Sequence, residues 1–179
     1  VEFKNTEIRR IVTGSLRAYR RSDVASQEPG LIVKADRSEG QTVKKGDVLA
    51  VLDARRLKIE IEQAEYDIQI KLAVIEQRKA ELATYQEELN RRTKSQGLAP
   101  GAVSEEAVRR AKMVLAVAKS VQKAAESDYE LARAHFDLLK VRLEDTVIHA
   151  PFYGNIVRKL AETGVWCKPG RPIITLIPR

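Results

Sequence analysis

Glycine and proline are absent from Asp47 to Gln96, and again from Ala102 to Ala150. All nine glycines and all six prolines fall within 14–46, 97–101 and 151–178. Both residue types break helices and mark turns, so two clean runs of this length predict two long helices. They are joined by Gly97-Leu98-Ala99-Pro100-Gly101, a connection so short that the helices must run antiparallel. The composition agrees. Only 5% of the 179 residues are aromatic and 32% are charged, a balance that suits long helices better than a large globular core. The punctuated ends read as short strands and turns. The longest apolar run is Met113 to Ala118, far short of a bilayer span. A lone cysteine excludes an internal disulfide framework. The chain starts at Val1 without a signal peptide, which reads as a processed or trimmed piece of a longer protein.

The helical register follows from arithmetic. Ile61, Ile68, Ile75, Leu82 and Leu89 recur every seven residues, as do Ala111, Ala118, Ala125, Ala132 and Leu139. A strict heptad implies a left-handed supercoil with knobs-into-holes packing. Folding the chain about Pro100 pairs residues whose numbers sum to 200. Ile68 then faces Ala132, Ile75 faces Ala125, Leu82 faces Ala118 and Leu89 faces Ala111. Ile61 faces Leu139, Ala64 faces Phe136 and Leu57 faces Leu143. Large meets small in most layers, which fills the seam and lets the backbones approach. Arg78 would face Gln122, and Lys71 would face Tyr129. Two readings of these polar layers stand: they fix register at some cost in stability, or their long stems snorkel off the seam edge.

Capping chemistry sets the helix limits at about 54–96 and 104–143, with the tip at 97–103. Asp53 is a candidate cap for the first helix, and Ser104, followed by Glu105 and Glu106, for the second. Helices of some forty residues reach ~60 Å at 1.5 Å per residue, so the hairpin must project into solvent.

The ends are related to each other. Gly30–Asp53 aligns with Gly154–Ile177 without a gap at an offset of 124, with seven of 24 positions identical. Gly30/Gly154, Gly40/Gly164 and Gly46/Gly170 are the pairs of most weight, because they fall where turns are expected. Two such halves must pack on each other to bury one face, and neither could form a core alone. The expected fold class is therefore α+β: a long antiparallel coiled-coil hairpin inserted between two halves of one small β-domain. The halves take residues 23–53 and 144–179, with 54–143 as the hairpin and 1–22 as a leading strand.

The half-repeats resemble those of lipoyl and biotinyl carrier domains. The ordered pattern G-L-I-V, E-G-Q-T-V-K-K-G-D-V-L-A-V-L-D, a heptad hairpin, then L-E-D-T-V-I-H-A-P-F-Y-G-N-I-V is similar to the periplasmic adaptor, or membrane fusion protein, family (HlyD-like), over about residues 8–177. The resemblance implies a periplasmic adaptor of a tripartite efflux or type I secretion system. Such adaptors bridge an inner-membrane transporter, of ABC, RND or MFS type, to a TolC-like outer-membrane channel on which the hairpin tip docks. It further implies a homo-oligomer, a hexamer in the full complex, tethered to the inner membrane on its periplasmic side. Residues Thr6 to Ala18 resemble the strand that enters the lipoyl domain from a β-barrel. Most of that barrel, and a membrane anchor, would lie beyond these residues.

No catalytic residue, cofactor site or metal site is expected. The turn that carries the modifiable lysine of carrier domains is replaced by the hairpin, and Lys44, Lys45 and Lys168 lie elsewhere. His135 and His149 have no partner at metal-ligand spacing, and Cys167 reads as a small packing residue. No phosphate loop, nucleophile elbow or dinucleotide fingerprint is present. The formal charge of +7 concentrates at the tip. Between Arg91 and Lys112 lie Arg91, Arg92, Lys94, Arg109, Arg110 and Lys112, against Glu105 and Glu106 alone. Such a tip would be steered toward an acidic partner rim, although exposed helix ends are also simply charged. The family's tip motif is an Arg, a Leu four later and a Ser seven after that. Here Gln96 stands four after Arg92, and Leu98 precedes Ser104 by six. Arg92, Leu98 and Ser104 are the best counterparts. A basic coiled coil that binds nucleic acid, or a plain scaffold, is the competing class. Few aromatics and no groove-reading motif argue against a nucleic-acid partner.

Overall fold

The computed structural model describes residues 21–98 and 104–179; the Thr6–Ala18 reading and Pro100 lie outside the described residues. The order is β1 (Ser22–Ala25), β2 (Gly30–Lys34), β3 (Thr42–Val43), β4 (Val48–Leu52), α1 (Arg55–Leu98), α2 (Glu105–Asp145), β5 (Val147–His149), β6 (Gly154–Lys159), β7 (Trp166–Cys167) and β8 (Pro172–Pro178). The strands form two four-stranded sheets, ordered β1-β8-β6-β3 and β5-β4-β2-β7. Adding 124 to a strand of one half gives its mate in the other, and exchanging mates converts one sheet order into the other.

The registers repeat residue by residue. Ile32 pairs with Leu52, and Ile156 with Leu176. Gly30 pairs with Cys167, and Gly154 with Val43. Each half also lends strands to the other's sheet: β1 pairs with β8, and β5 with β4. The β unit therefore closes only when both ends of the chain are present. Its core is built from mates. Ile32 and Ile156, Leu49 and Ile173, Leu52 and Leu176, and Val43 and Cys167 are all almost wholly buried. Cys167 occupies the position of Val43, which accounts for its burial as a small apolar side chain. Gly40, Gly46, Gly164 and Gly170 all have positive φ, between 76° and 88°, where an L side chain is strained.

The helices lie antiparallel between β4 and β5 and pack along their length. Leu57, Ile61 and Ala64 of α1 and Phe136, Leu139 and Leu143 of α2 form one cluster at the root. The burial pattern repeats at alternating intervals of three and four up both helices, as a coiled-coil seam requires. The Arg78/Gln122 layer resolves in favour of snorkelling. Arg78 is half-buried and turns its guanidinium along its own helix to Glu81 at 2.8 Å, and Gln122 donates along α2 to Glu126 at 2.9 Å.

At the root of α1, Asp53 accepts the Arg55 N–H at 3.0 Å, two residues on, while Ala54 accepts the first i→i+4 bond from Lys58. Asp53 thus sits one residue outside the cap position. Its carboxylate also takes the Arg55 guanidinium, as close as 2.6 Å, and that bonding holds its pKa down at about 2. α2 begins on Ser104, whose hydroxyl accepts the Ala107 N–H at 3.2 Å, with Glu105 and Glu106 in the first turn complementing the dipole.

Candidate docking tip of the hairpin

The seam residues place the tip. Ile75, Ala125, Ala132 and Leu139 are buried, and Ile61, Ile68, Leu82, Leu89, Ala111 and Ala118 are half-buried. Val108 is buried near the start of α2, so the seam holds the helices together almost to their distal ends. The last described residue of α1 is Leu98, at 78% exposure. A leucine presented so openly at the far end of a rod is the kind of apolar anchor an interface uses.

The cations around it fall into two groups. Arg91 and Arg92 both reach back to Glu88, Arg92 at 2.5 Å. These bonds, that of Arg92 foremost, lower the pKa of Glu88. Arg92 is only half-exposed and lies on the seam side of α1, so its guanidinium is committed to its own helix. Arg110 pairs with Glu106 at 2.9 Å on the preceding turn. Lys94, Arg109 and Lys112 are exposed and make no ion pair among the described residues. Ser104, exposed, spends its hydroxyl on the helix cap.

A charge count that begins at Arg91 leaves out Glu88. The spacing carried the signal, since carboxylates three and four residues before an arginine lie on the same helical face. Counted from Glu87 through Lys112, the tip holds six cations against four carboxylates. The excess is smaller than the shorter window implies, and it is concentrated on residues that make no ion pair among the described residues.

At the opposite end, Arg142 of α2 makes a two-pronged bond to Glu28 in the loop before β2, at 3.0 and 2.9 Å. This contact ties the hairpin to the β unit. Among the described residues no group of His, Cys, Asp or Glu is placed to hold a metal ion, and no helix is long and apolar enough to cross a membrane.

Residues 20–176 match the family model described as the CzcB-like, barrel-sandwich hybrid domain. The chain is 30% identical to the fatty acid resistance protein FarA of Neisseria gonorrhoeae, over 87% of its own length and 47% of that protein's. It is 31% identical to the macrolide export protein MacA of Yersinia pestis, over 83% of this chain and 39% of that one. Among solved structures, MacA of Actinobacillus actinomycetemcomitans superposes with a TM-score of 0.82 at 23% identity, covering 90% of this chain and 50% of the other. That likeness speaks to the fold. The chain thus spans about half or less of the length of these relatives.

Proposed function

We propose, for a chain that belongs to the non-enzymatic periplasmic adaptor, or membrane fusion protein, family, that it joins an inner-membrane transporter to a TolC-like outer-membrane channel. The hairpin is the reaching element and its tip the docking element. One observation carries this reading. Two helices of 44 and 41 residues are held by a continuous seam and carry, at their distal end, an exposed apolar residue and cations that make no ion pair among the described residues. A rod with so few ways to bend transmits position, and a leucine at its end gains contact area only when a partner covers it.

Within this proposal Leu98 is the anchor, and Lys94 and Arg109 steer the tip toward an acidic rim. Arg91, Arg92 and Arg110 hold the distal turns rigid through Glu88 and Glu106, and Ser104 fixes the start of α2. The β unit, together with a barrel approached through residues 1–22, faces the transporter. The whole protein works as a homo-oligomer, a hexamer in the assembled machine, in the periplasm and tethered to the inner membrane. Transporters of ABC, RND or MFS type, and drugs or secreted substrates, all fit this reading.

The test is recovery of the channel with the tagged full chain from detergent-solubilised envelopes. Leu98→Asp and the pair Lys94→Glu with Arg109→Glu should each sharply reduce it. The charge pair should lose more at low salt than at high. Unchanged recovery with all three substitutions would reject tip docking.

A further inference from the structure

The two sheets repeat one design, so each shows what the other's surface would carry if folding alone decided it. On the sheet β1-β8-β6-β3, Thr42 stands opposite Asn155, and its hydroxyl donates to the Asn155 Oδ1 at 2.8 Å. Thr175 stands opposite Asp23 and donates to its carboxylate at 2.6 Å. An offset of 124 carries these pairs to Trp166 opposite Leu31, and to Val51 opposite Val147, on the sheet β5-β4-β2-β7. Two polar pairs that satisfy themselves are replaced, at the same register, by two apolar ones. Trp166 is 56% exposed, and Leu31 is exposed beside it. Trp166 is the sole tryptophan of the sequence, and a half-repeat that folds with threonine at the same place shows that the core does not require it.

Both apolar pairs line one trough, where the second sheet meets the root of α1. The cleft beside Trp166 has a volume of about 510 Å³, within the range of small-molecule sites. A second cleft, over Val51 and Val147, shares Leu31, Asp53, Arg55 and Thr146 with the first, so the two are continuous. Ile59, exposed, walls the trough from the helix side. The charges that line it differ in how far they are committed. Glu28 is taken by Arg142, and Asp53 by Arg55. Arg56 and Lys58 are exposed and make no ion pair among the described residues, and Glu60 is the remaining lining carboxylate. We infer that the trough binds a small aromatic anion, its flat body against Trp166 and Leu31 and its acidic group at Arg56 and Lys58. The indole offers a face for stacking, and Leu31 and Ile59 flank a body no thicker than a ring system. Two uncommitted cations favour an acid over a neutral or basic ligand, because a charge-assisted bond is stronger than a neutral one. The inference is independent of channel docking, because the trough lies at the root of the hairpin and the docking residues at its tip.

The probe is anilinonaphthalene sulfonate, a fluorescent aromatic anion, titrated into the purified full chain. Phenylnaphthylamine, which has the same rings without the sulfonate, is the neutral comparison. Energy transfer from Trp166, taken as the difference between the parent and Trp166→Phe, reports that the dye sits beside the indole. The sulfonate should fill one saturable site, about tenfold more tightly than the neutral compound. Arg56→Gln with Lys58→Gln should erase that preference, and the two changes touch neither the seam nor the sheets. Leu31→Asn with Trp166→Thr installs the pair that the first sheet already carries, so the fold should survive and the thermal melt should stay in place. Dye emission should then show affinity lower by about tenfold or more. Equal binding of the charged and neutral compounds would overturn the inference, as would an affinity indifferent to either double variant. It would also fall if Leu31→Asn with Trp166→Thr lowered the mass of the parent in solution while dye binding persisted, since the face would then belong to a second copy.

Discussion

Arg142 holds Glu28 with two nitrogens, at 3.0 and 2.9 Å, across 114 positions of sequence. The arginine stands in the last turn of α2 and the glutamate in the loop between β1 and β2, so the pair spans the junction of rod and β unit. Glu28→Gln and Arg142→Met should each destabilise the fold by about 1 kcal/mol, with a coupling of similar size in the double-mutant cycle. Thermal melts measure this. Additive effects would show that the bond contributes nothing to the junction. Channel recovery should fall in proportion to loosened hairpin orientation, with the tip itself unaltered.

Gly30 and Gly154 are mates in the repeat, yet they carry different constraints. A Cβ on Gly154 would stand 2.2 Å from the backbone oxygen of Ile177, whereas one on Gly30 would meet the side chain of Leu52 at 3.4 Å. The longer β8 passes over Gly154 and pairs with it through Pro178. Gly154→Ala should therefore cost about 1–3 kcal/mol, because backbone must shift. Gly30→Ala should stay within about 1 kcal/mol of the parent, since the gain in chain stiffness offsets a mild crowding. Denaturant midpoints of the two variants check the asymmetry. Equal losses would contradict it.

The repeat makes the β unit legible in the sequence. Gly40/Gly164 and Gly46/Gly170, at an offset of 124, mark turns with positive φ, whereas Gly30/Gly154, read as turn positions too, open strands β2 and β6. The apolar residues between the pairs mark the core, because a two-fold arrangement imposes the same steric demand twice. The seam was readable for a similar reason, since a seven-residue period has no other economical packing. What did not show was where long polar side chains go. Arg92 reads as a docking residue by position, but Glu88 one turn earlier captures its head. Asp53 reads as the cap, and its carboxylate does accept the Arg55 N–H, but the first helical bond starts at Ala54 and the same carboxylate also holds the Arg55 guanidinium. The Arg142–Glu28 contact lies outside any local pattern, because it depends on how the hairpin leans against the β unit. Rotamers and inter-element angles decide such contacts, and neither has a sequence period.

Acid should act on the hairpin root in a defined window. Asp53 is held down at about 2 from its ordinary 3.8, chiefly by the Arg55 guanidinium and then by the Arg55 amide. A carboxylate with a depressed folded-state pKa contributes stability that is complete above 3.8 and is lost as the pH falls toward 2. Asp53→Asn keeps an acceptor for the Arg55 amide and removes the charge. The parent should therefore melt above the variant at neutral pH by a constant margin, and the two curves should converge between pH 3.8 and 2. A margin that persists at the acid end would assign the effect to another group.

The polar layers permit a sharper test of what sets the register. Arg78 and Gln122 bond along their own helices, to Glu81 and Glu126, so neither is needed by the other. The apolar layers that flank them, with Ile75 and Ala125 buried and Leu82 and Ala118 half-buried, carry the large-to-small match. Arg78→Leu with Gln122→Ala extends that match through the layer. It should raise stability by about 1–3 kcal/mol, the usual gain when a seam side chain becomes apolar. Register should survive, so cysteines introduced at Ile75 and Ala125 should link as readily in the variant as in the parent. A loss of that link, or a shift to the pair one heptad away, would mean that Arg78 and Gln122 hold the alignment, and that the apolar layers alone admit more than one.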